Sequence, residues 1–324
     1  MLNKILFPAY LASAGIVIMA SSIRATEALL PTQVADIAKA TVVRIQPTVN
    51  SPGTGAIVGR YQENGTNVYV VLTAAHVVQY QDDEYSIVTP ALSQNRYGTI
   101  IKQRKTIPIS YKEDVQKLPG VDLAIVRFRS DRDYQTATVG NSDHTIEGAG
   151  VYIAGFPNPS GEKGAIRKRV FQFTSSYISS RLDNEDVDGE EETGTVEDGY
   201  ALVYTNVTRT GMSGGPVFDV AGRVVGIHGK GDREVVYANE SGSELVYGKT
   251  GFNLGIPVNT FMKLMPNAIQ SFRISLDNSK PGIPLGGGIA IRGEEMPKIN
   301  ISEEEDTNND DVIIRRSPPL TKPI

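Results

Sequence analysis

Short apolar runs separated by turn residues dominate the middle of this 324-residue chain. Runs of this length, with Gly, Pro, Asn and Asp between them, indicate β-sandwiches or barrels and disfavour an alternation of strands with helices. The fold class is therefore predicted to be all-β. A short helix is predicted before the strands, over Thr32–Ala40, and a closing amphipathic helix over 258–272, which Pro266 interrupts. The clearest predicted strands are 41–45, 53–58, 68–73, 121–128 and 151–156.

A serine lies between glycines in the stretch 211–216, Gly-Met-Ser-Gly-Gly-Pro, which runs directly into an apolar strand. The hydroxyl of Ser213 is a weak nucleophile unless a base lies beside it and N–H groups receive the developing oxyanion. Glycine allows the backbone N–H groups of such a turn to point into a cleft. A Gly-Ser-Gly turn alone is more commonly just a turn, so Ser213 becomes a candidate nucleophile only together with a base.

Three histidines are present, which narrows the search for that base. His76 follows an apolar run, and the two alanines before it leave space for a close neighbour. Asp122 precedes the apolar run 123–126, where a partly buried carboxylate needs a partner such as an imidazole N–H. The order His76, Asp122, Ser213 is one of the chain orders in which serine triads occur. His144 lies in a polar loop and is predicted to have no catalytic role.

Together these motifs resemble those of the trypsin-like serine peptidases of the chymotrypsin fold. The histidine motif is Thr-Ala-Ala-His at 73–76, the aspartate motif is Asp-Leu-Ala at 122–124, and the serine motif is the stretch 211–216. The resemblance covers about residues 35–270. It implies two six-stranded antiparallel β-barrels, one over about 41–140 and one over about 150–257, with the site between them.

The resemblance also implies a role for each residue. Ser213 is expected to attack the carbonyl, His76 to transfer the proton, and Asp122 to orient the imidazole. The backbone N–H groups of Gly211 and Ser213 are expected to form the oxyanion hole. Many animal members carry an acidic residue at the position of Met212, where it pairs with a newly cut N-terminus, and a thioether cannot do so. We therefore expect a site that forms without this activation; an oxyanion hole collapsed at rest is the alternative.

A narrower resemblance, to bacterial glutamyl endopeptidases, concerns the pocket for the side chain before the cut. Those enzymes use a hydroxyl residue ahead of the serine and a histidine on the following strand, and Thr208 and His228 lie at the matching offsets from Ser213. A hydroxyl and an imidazole N–H both donate to a carboxylate. The predicted preference is for Glu, and less often Asp; a core-facing His228 bonded to a carbonyl is the alternative. Val207 argues against a preference for Lys or Arg, which would need a carboxylate there.

The two ends of the chain differ from its middle. Residues 1–28 combine Lys4, a mostly apolar run and small residues, which predicts a signal peptide and export to the periplasm or the exterior. A retained N-terminal anchor is the alternative. The peptidase domain is predicted over 29–276. Residues 277–324, rich in Gly, Pro and acidic residues, are predicted to be a disordered tail.

Composition excludes several classes of function. The chain has no cysteine, which excludes thiol catalysis, thiolate metal sites and disulfides, and an exported chain without disulfides favours a bacterial source. The net charge of −5 gives no electrostatic reason to expect a nucleic-acid partner. Phosphate-binding motifs do not appear, so no cofactor and no metal are predicted. One weak exception is half of a calcium-loop motif inside the acidic segment 183–199. This segment is predicted to be a solvated loop, and it is a candidate site of self-cleavage.

The leading prediction is an exported serine endopeptidase that acts through an acyl-enzyme on polypeptide substrates. We predict a monomer with no membrane association after removal of the signal peptide. A processing protease with a different pocket preference is the first alternative. An inactive relative that binds peptides in the cleft is the second, and cleavage of peptides that differ before the cut separates the three.

Overall fold

The computed structural model describes residues 26–95, 97–159, 168–182, 197–238 and 245–282, without side chains for 197, 233–238 and 245–247. All of them belong to one of the two compact units of the chain, Met1–Leu285. The second unit, Gly286–Ile324, lies outside the described residues, as do most of the predicted signal peptide and most of the acidic segment. Within the described part, no helix has the length and apolar character needed to cross a membrane.

Strands make up most of the regular structure. The strands are β1 (Val42–Pro47), β2 (Gly53–Glu63), β3 (Thr66–Thr73), β4 (Tyr85–Val88), β5 (Leu92–Gln94), β6 (Ile100–Lys102), β7 (Thr106–Ile109), β8 (Val115–Lys117), β9 (Ala124–Ser130), β10 (Val139–Gly140), β11 (Gly150–Gly155), β12 (Gln172–Arg181), β13 (Leu202–Tyr204), β14 (Pro216–Asp219), β15 (Val224–Ala238), β16 (Leu245–Pro257) and β17 (Leu276–Asp277). The helices are α1 (Pro31–Thr41), α2 (Tyr111–Asp114), α3 (Val258–Leu264) and α4 (Ala268–Ser271), and short 3-10 turns span Ala75–Val78, Ser142–His144 and Glu197–Gly199.

The first half of the chain forms an antiparallel sheet of seven strands, in the order β7-β4-β1-β2-β3-β9-β8, which curls into a half-barrel. Its central strands β2, β3 and β9 are buried over most of their length, and each contains a short apolar run: 56–58 in β2, 68–72 in β3 and 124–126 in β9. In the register of β3 and β9, Thr73 lies opposite Ala124. The ends of these two strands therefore deliver the residues that follow Thr73 and precede Ala124 to the same place.

The second half closes into a six-stranded barrel. The order β14-β11-β12-β13-β16-β15 is completed by direct pairing of β14 with β15, and β10 and β17 extend the sheet from β15. The predicted all-β, chymotrypsin-like two-barrel fold is confirmed, but the first half is a curled half-barrel of seven strands and not a closed six-stranded barrel. A hairpin joins β14 to β15, and within its turn the carboxylate of Asp219 accepts from the N–H groups of Ala221 and Arg223. β15 continues past His228 to Ala238 in a long pairing with β16.

The two predicted helices pack on the core. The first is α1, which begins with Pro31 and buries Val34 and Ala38. The closing segment buries Phe261 and Ala268 but consists of two pieces, α3 and α4. The break falls at Pro266, whose ring and missing N–H end a helix.

The fold continues beyond the predicted end of the domain at 276. The N–H of Gly282 donates to the carbonyl of Thr26 at 2.6 Å, and the hydroxyl of Thr26 donates to Asp277 at 2.9 Å. Arg223, which is buried, donates to the carbonyl of Ser279 at 2.8 Å. Residues 26–28, placed in the signal peptide by the sequence, and residues 277–282, placed in the tail, are thus part of the described fold.

Candidate active site

Three of the residues singled out by the sequence lie at strand ends. His76 is on the 3-10 turn that follows β3, Asp122 lies just before β9, and Ser213 lies just before β14. His76 and Asp122 therefore come from neighbouring strands of the half-barrel, and Ser213 comes from the closed barrel. His76 and Ser213 line one cavity, together with Gly211 and Thr210.

The His76 ring is held by the carboxylate of Asp122. Nδ1 of His76 lies 2.6 Å from Oδ2 of Asp122, and the backbone N–H of His76 donates to Oδ1 at 2.7 Å. The His76 side chain is 39% exposed and that of Asp122 only 11%. Because Nδ1 is occupied by Asp122, Nε2 is the nitrogen left to serve a hydroxyl in the cleft.

Opposing effects act on the Asp122 carboxyl. Burial acts to raise its pKa, but the hydrogen bonds and charge of His76, together with the hydroxyl of Tyr200, outweigh burial and lower the pKa below its ordinary value. Asp122 is therefore an anion at neutral pH. A fixed anion beside Nδ1 selects the Nδ1–H tautomer and stabilises an imidazolium when one forms.

Two backbone N–H groups in the turn that carries Ser213 have no acceptor among the described residues. Among the hydrogen bonds of the described residues, none has the N–H of Gly211 or Ser213 as its donor. The N–H groups next to them are engaged: Met212 donates to Arg209 at 3.0 Å and Gly214 to His228 at 2.7 Å. Gly211 has φ +96°, and a Cβ there would lie 2.8 Å from the carbonyl oxygen of Phe156, so the turn requires glycine. This arrangement leaves two donors for a developing oxyanion.

A buried threonine that the sequence analysis missed fastens this turn to the half-barrel. Thr54 Oγ1 donates to the carbonyl of Gly211 at 2.7 Å and accepts from the N–H of Phe156 at 3.1 Å. The N–H of Thr54 also donates to the carbonyl of Ser213 at 2.9 Å. Met212 occupies the position at which many animal members of the family carry an acidic residue. Its side chain is fully buried in the closed barrel. Packing and these hydrogen bonds hold the turn without an ion pair.

Tyr200 is the second residue that sequence reasoning missed. Its hydroxyl donates to Oδ2 of Asp122, the oxygen that also accepts from His76. Burial, and then the charge of Asp122, raises the pKa of Tyr200, so the hydroxyl stays protonated and remains a donor. Gly229 provides the space, since a Cβ there would lie 2.1 Å from the Tyr200 ring. The only sequence signal for this contact is the glycine after His228. A glycine indicates that another group packs closely there, but it does not identify Tyr200 as that group.

The two predicted specificity residues each have a separate partner. His228 on β15 is 2% exposed, and its Nδ1 lies 2.9 Å from the hydroxyl of Tyr204, not from a carbonyl. Burial, and then the charges of His76 and Lys249, lowers the pKa of His228 to about 3. The hydroxyl of Thr208 donates to the side-chain oxygen of Asn253.

Those partners lie in one patch of the closed barrel. Tyr204 and Asn253 are directly opposite each other in the pairing of β13 with β16. Asn253 is buried and donates to the carbonyl of Asn206 at 2.6 Å. Val207, in contrast, is 71% exposed, so its side chain is mostly in solvent and not among these buried groups.

Comparison with known families agrees with the motifs and the fold. A model of the trypsin-like peptidase domain matches residues 53–227, which is more than half of the chain. The chain belongs to the trypsin-like peptidase family. The members of this family are serine endopeptidases, which is the enzyme class that the motifs predicted.

Solved structures similar to this chain include HtrA-type proteases. AlgW with a tripeptide has a TM-score of 0.46 and 20% identity, over 75% of this chain and 64% of that one. A variant of AlgW with a tripeptide has a TM-score of 0.47 and 19% identity, with the same coverage. Deg5 has a TM-score of 0.46 and 17% identity, over 74% of this chain and 94% of that one. This chain therefore spans about 64% of the length of the AlgW chains it matches. Comparison with curated proteins gave no match.

The hydroxyl of Tyr200 offers a test of how the Asp122 carboxylate is held in this peptidase. Tyr200→Phe keeps the ring beside Gly229 and removes one hydrogen bond to a charged oxygen, so kcat is expected to fall about tenfold. KM and the melting temperature should change little, because the ring and its packing remain. Steady-state kinetics and thermal unfolding measure these quantities.

Tyr134→Phe is the matched control for this change. Tyr134 is equally buried, but its hydroxyl has no hydrogen-bond partner within the described residues, so its loss should leave kcat unchanged. An unchanged kcat in Tyr200→Phe, or equal losses in both variants, would remove Tyr200 from the positioning of Asp122.

Proposed function

We propose that this chain is an exported endopeptidase that hydrolyses peptide bonds through an acyl-enzyme and prefers Glu, or less often Asp, before the cut. The catalytic residues of the proposal are His76, Asp122 and Ser213. The observation that carries it is the 2.6 Å contact between His76 and Asp122 at a cavity that His76 shares with Ser213. Gly211 contributes the second N–H of the proposed oxyanion hole.

Each proposed step follows from the groups available. Oγ of Ser213 attacks the carbonyl carbon of the substrate while its proton passes to Nε2 of His76. The carbonyl oxygen becomes an oxyanion and accepts from the N–H groups of Gly211 and Ser213, which have no other acceptor within the described residues. The tetrahedral intermediate collapses, and the leaving amine takes the proton from His76. A water molecule, deprotonated by His76, then attacks the acyl carbon, and His76 returns this proton to Oγ of Ser213 as the bond between Oγ and the acyl group breaks.

The tautomer of His228 supports a pocket for an acidic side chain. Burial raises the pKa of Tyr204 well above its ordinary value, so its hydroxyl stays protonated and donates to Nδ1 of His228. Nε2 of His228 then carries the proton of the neutral imidazole and is able to donate to a carboxylate. The proposal makes this N–H one of the two donors that hold the substrate Glu.

The second donor in the proposal is the hydroxyl of Thr208. In the free protein it donates to the side-chain oxygen of Asn253, a neutral acceptor. A substrate carboxylate is a stronger acceptor than an amide oxygen, since hydrogen bonds to an ionised group are about twice as strong. Substrate binding in this proposal therefore turns the Thr208 hydroxyl from Asn253 to the carboxylate.

Export and a monomeric state are further parts of the proposal. Export rests on the predicted signal peptide over 1–28, almost all of which lies outside the described residues, and the monomeric state is carried over from the sequence analysis as a prediction. After removal of the signal, the proposed protein acts on polypeptides without binding membranes or nucleic acid.

Peptides that differ only in the residue before the cut test the specificity. We expect kcat/KM for Glu to exceed that for Gln, Lys, Phe and Ala by about 100-fold, because the pocket is built around a charged acceptor. His228→Ala should lower kcat/KM for the Glu peptide by about 100-fold and change cleavage of the Phe and Ala peptides by less than about threefold. His144→Ala, which alters a histidine in the 3-10 turn Ser142–His144, is the control and should behave like the unaltered protein.

The possible contrary outcomes identify different errors. A preference for Lys, Phe or Ala would mean a protease with another kind of pocket. Equal losses across all peptides in His228→Ala would give His228 a role in the fold. Binding of the peptides by folded protein without any cleavage would mean an inactive relative.

A further inference from the structure

Three arginines lie around Phe156, and none of them has a carboxylate partner among the described residues. They are Arg44 on β1, Arg104 just before β7, and Arg169 just before β12. Among the ion pairs of the described residues, none involves any of the three. By comparison, Arg129 and Arg223 each pair with carboxylates.

Two of the three converge on one aromatic ring. The guanidinium carbon of Arg104 lies 4.9 Å from the centre of the Phe156 ring, and that of Arg44 lies 5.9 Å from the same centre. Arg104 is exposed, and its Nη1 donates a hydrogen bond to the carbonyl of Thr89 at 2.9 Å. Arg44 is half-buried, and its Nε is sealed from solvent with no hydrogen-bond partner within the described residues. Stacking on Phe156 orients two cations toward a common region but neutralises neither.

Arg169 connects this cluster to the turn. Its Nη2 donates to the carbonyl of Phe156 at 2.5 Å and approaches the carbonyl of Gly211 at 3.5 Å. Nε and Nη1 of Arg169 are buried and have no partner within the described residues. The side-chain oxygen of Asn158, two residues after Phe156, is also buried without a partner within the described residues, but it is an acceptor and adds no donor to the cluster.

The electrostatics of the cluster are unfavourable as it stands. Burial, and then the charge of Arg44, lowers the pKa of Arg169 to about 10. Burial also lowers the pKa of Arg44. A buried guanidinium N–H without an acceptor costs free energy, and a second cation beside it adds to that cost. One bound anion lowers both of these free-energy costs, because its charge offsets the cations and its oxygens accept hydrogen bonds from several N–H groups at once.

We infer that Arg44, Arg104 and Arg169 form a binding site for one small oxyanion, such as sulfate, phosphate or a carboxylate. The anion enters from the side of Arg104, which is the exposed member, and accepts from the N–H groups of all three. This anion site is distinct from the proposed pocket for the substrate Glu, which lies at Thr208 and His228.

Occupancy of this site acts on the turn through Arg169. An anion that holds the guanidinium of Arg169 also holds its Nη2 against the carbonyl of Phe156, which neighbours that of Gly211. The turn that presents the N–H groups of Gly211 and Ser213 is then more rigid. This effect on turnover rests on the proposed peptidase activity; anion binding itself does not.

Binding is measured first, without any use of activity. Sulfate and sodium chloride are compared at equal ionic strength on the Ser213→Ala protein, by thermal unfolding and calorimetry. Sulfate is expected to bind at one site with a saturable, low-millimolar midpoint and to raise the melting temperature by about 3 °C, whereas chloride does not. Arg104→Gln, an exposed change, should weaken sulfate binding about tenfold, and Arg44→Gln should abolish it.

Arg127→Gln is the matched control, because Arg127 lies on β9 and donates only to the carbonyl of Glu113 within the described residues. It should bind sulfate as the unaltered protein does. The inference is overturned if sulfate and chloride act alike at equal ionic strength. It is also overturned if Arg104→Gln and Arg127→Gln respond to sulfate in the same way.

Turnover and peptide substrates then identify the source of the anion. With a peptide that is neutral after the cut, saturating sulfate should raise kcat about threefold in the unaltered protein and not in Arg104→Gln. If the anion is a substrate carboxylate, peptides with Glu after the cut should show a lower KM, and sulfate should compete with them. If it is a free ion, those peptides and the neutral peptide should show equal KM. Failure of all peptides to be cleaved while sulfate still binds would count against the proposed function and leave the site intact.

Discussion

Replacement of Ser213 by alanine is expected to lower kcat by about four to six orders of magnitude while the fold and peptide binding remain. The reason is chemical, because no acyl-enzyme forms without the hydroxyl, and the oxyanion donors then have nothing to stabilise. Ser213 is only partly buried and the turn around it is held by backbone groups and by Thr54, so the missing hydroxyl should cost little stability. Single-turnover cleavage of the best Glu peptide, with circular dichroism of the same sample, measures both quantities.

Ser175→Ala is the matched control for this experiment. Ser175 is an exposed serine on β12, away from the cavity that His76 and Ser213 line. It should retain full activity. A loss of less than tenfold in Ser213→Ala would make Ser213 the wrong nucleophile.

Replacement of Asp122 by asparagine should have the second-largest effect, a fall in kcat of about 10⁴-fold, which is the size seen when a triad loses this carboxylate. Asp122 accepts three hydrogen bonds, from the ring and the backbone of His76 and from the hydroxyl of Tyr200. An amide has one acceptor oxygen and an NH₂ group that donates. If its NH₂ group faces the ring, His76 is driven to the tautomer with its proton on Nε2, which cannot take a proton from Ser213. The charge that stabilises the imidazolium is lost as well.

Initial rates on the Glu peptide, together with thermal unfolding, separate this effect from a loss of fold. Asp143→Asn is the control, because Asp143 is 65% exposed and stands apart from the site in the 3-10 turn Ser142–His144. A drop of less than about tenfold in Asp122→Asn, with His76 still in place, would contradict the role given to the carboxylate.

The sequence by itself determined the fold class, the family and the candidate triad. These features are local: β-branched runs of strand length, the helix that begins at Pro31, and motifs in which His76, Asp122 and Ser213 each lie within a few contiguous residues. Local patterns of this kind depend on the chemistry of neighbouring residues, so they can be read without the tertiary structure. The order of the three motifs matches that of the trypsin-like peptidases, and this resemblance implied the two-barrel fold and the role of each residue.

Only the tertiary structure decided which side chains support and surround those residues. Tyr200 lies 78 positions from Asp122, Thr54 lies 157 from Gly211, and Arg44, Arg104 and Arg169 come from both halves of the chain. No spacing rule joins residues so far apart, because their contact depends on how two sheets curl and pack against each other. The same holds for the length of β15, which is set by its pairing with β16 and not by its own composition. A motif thus shows which chemistry the chain can perform, and packing determines which groups hold that chemistry in place.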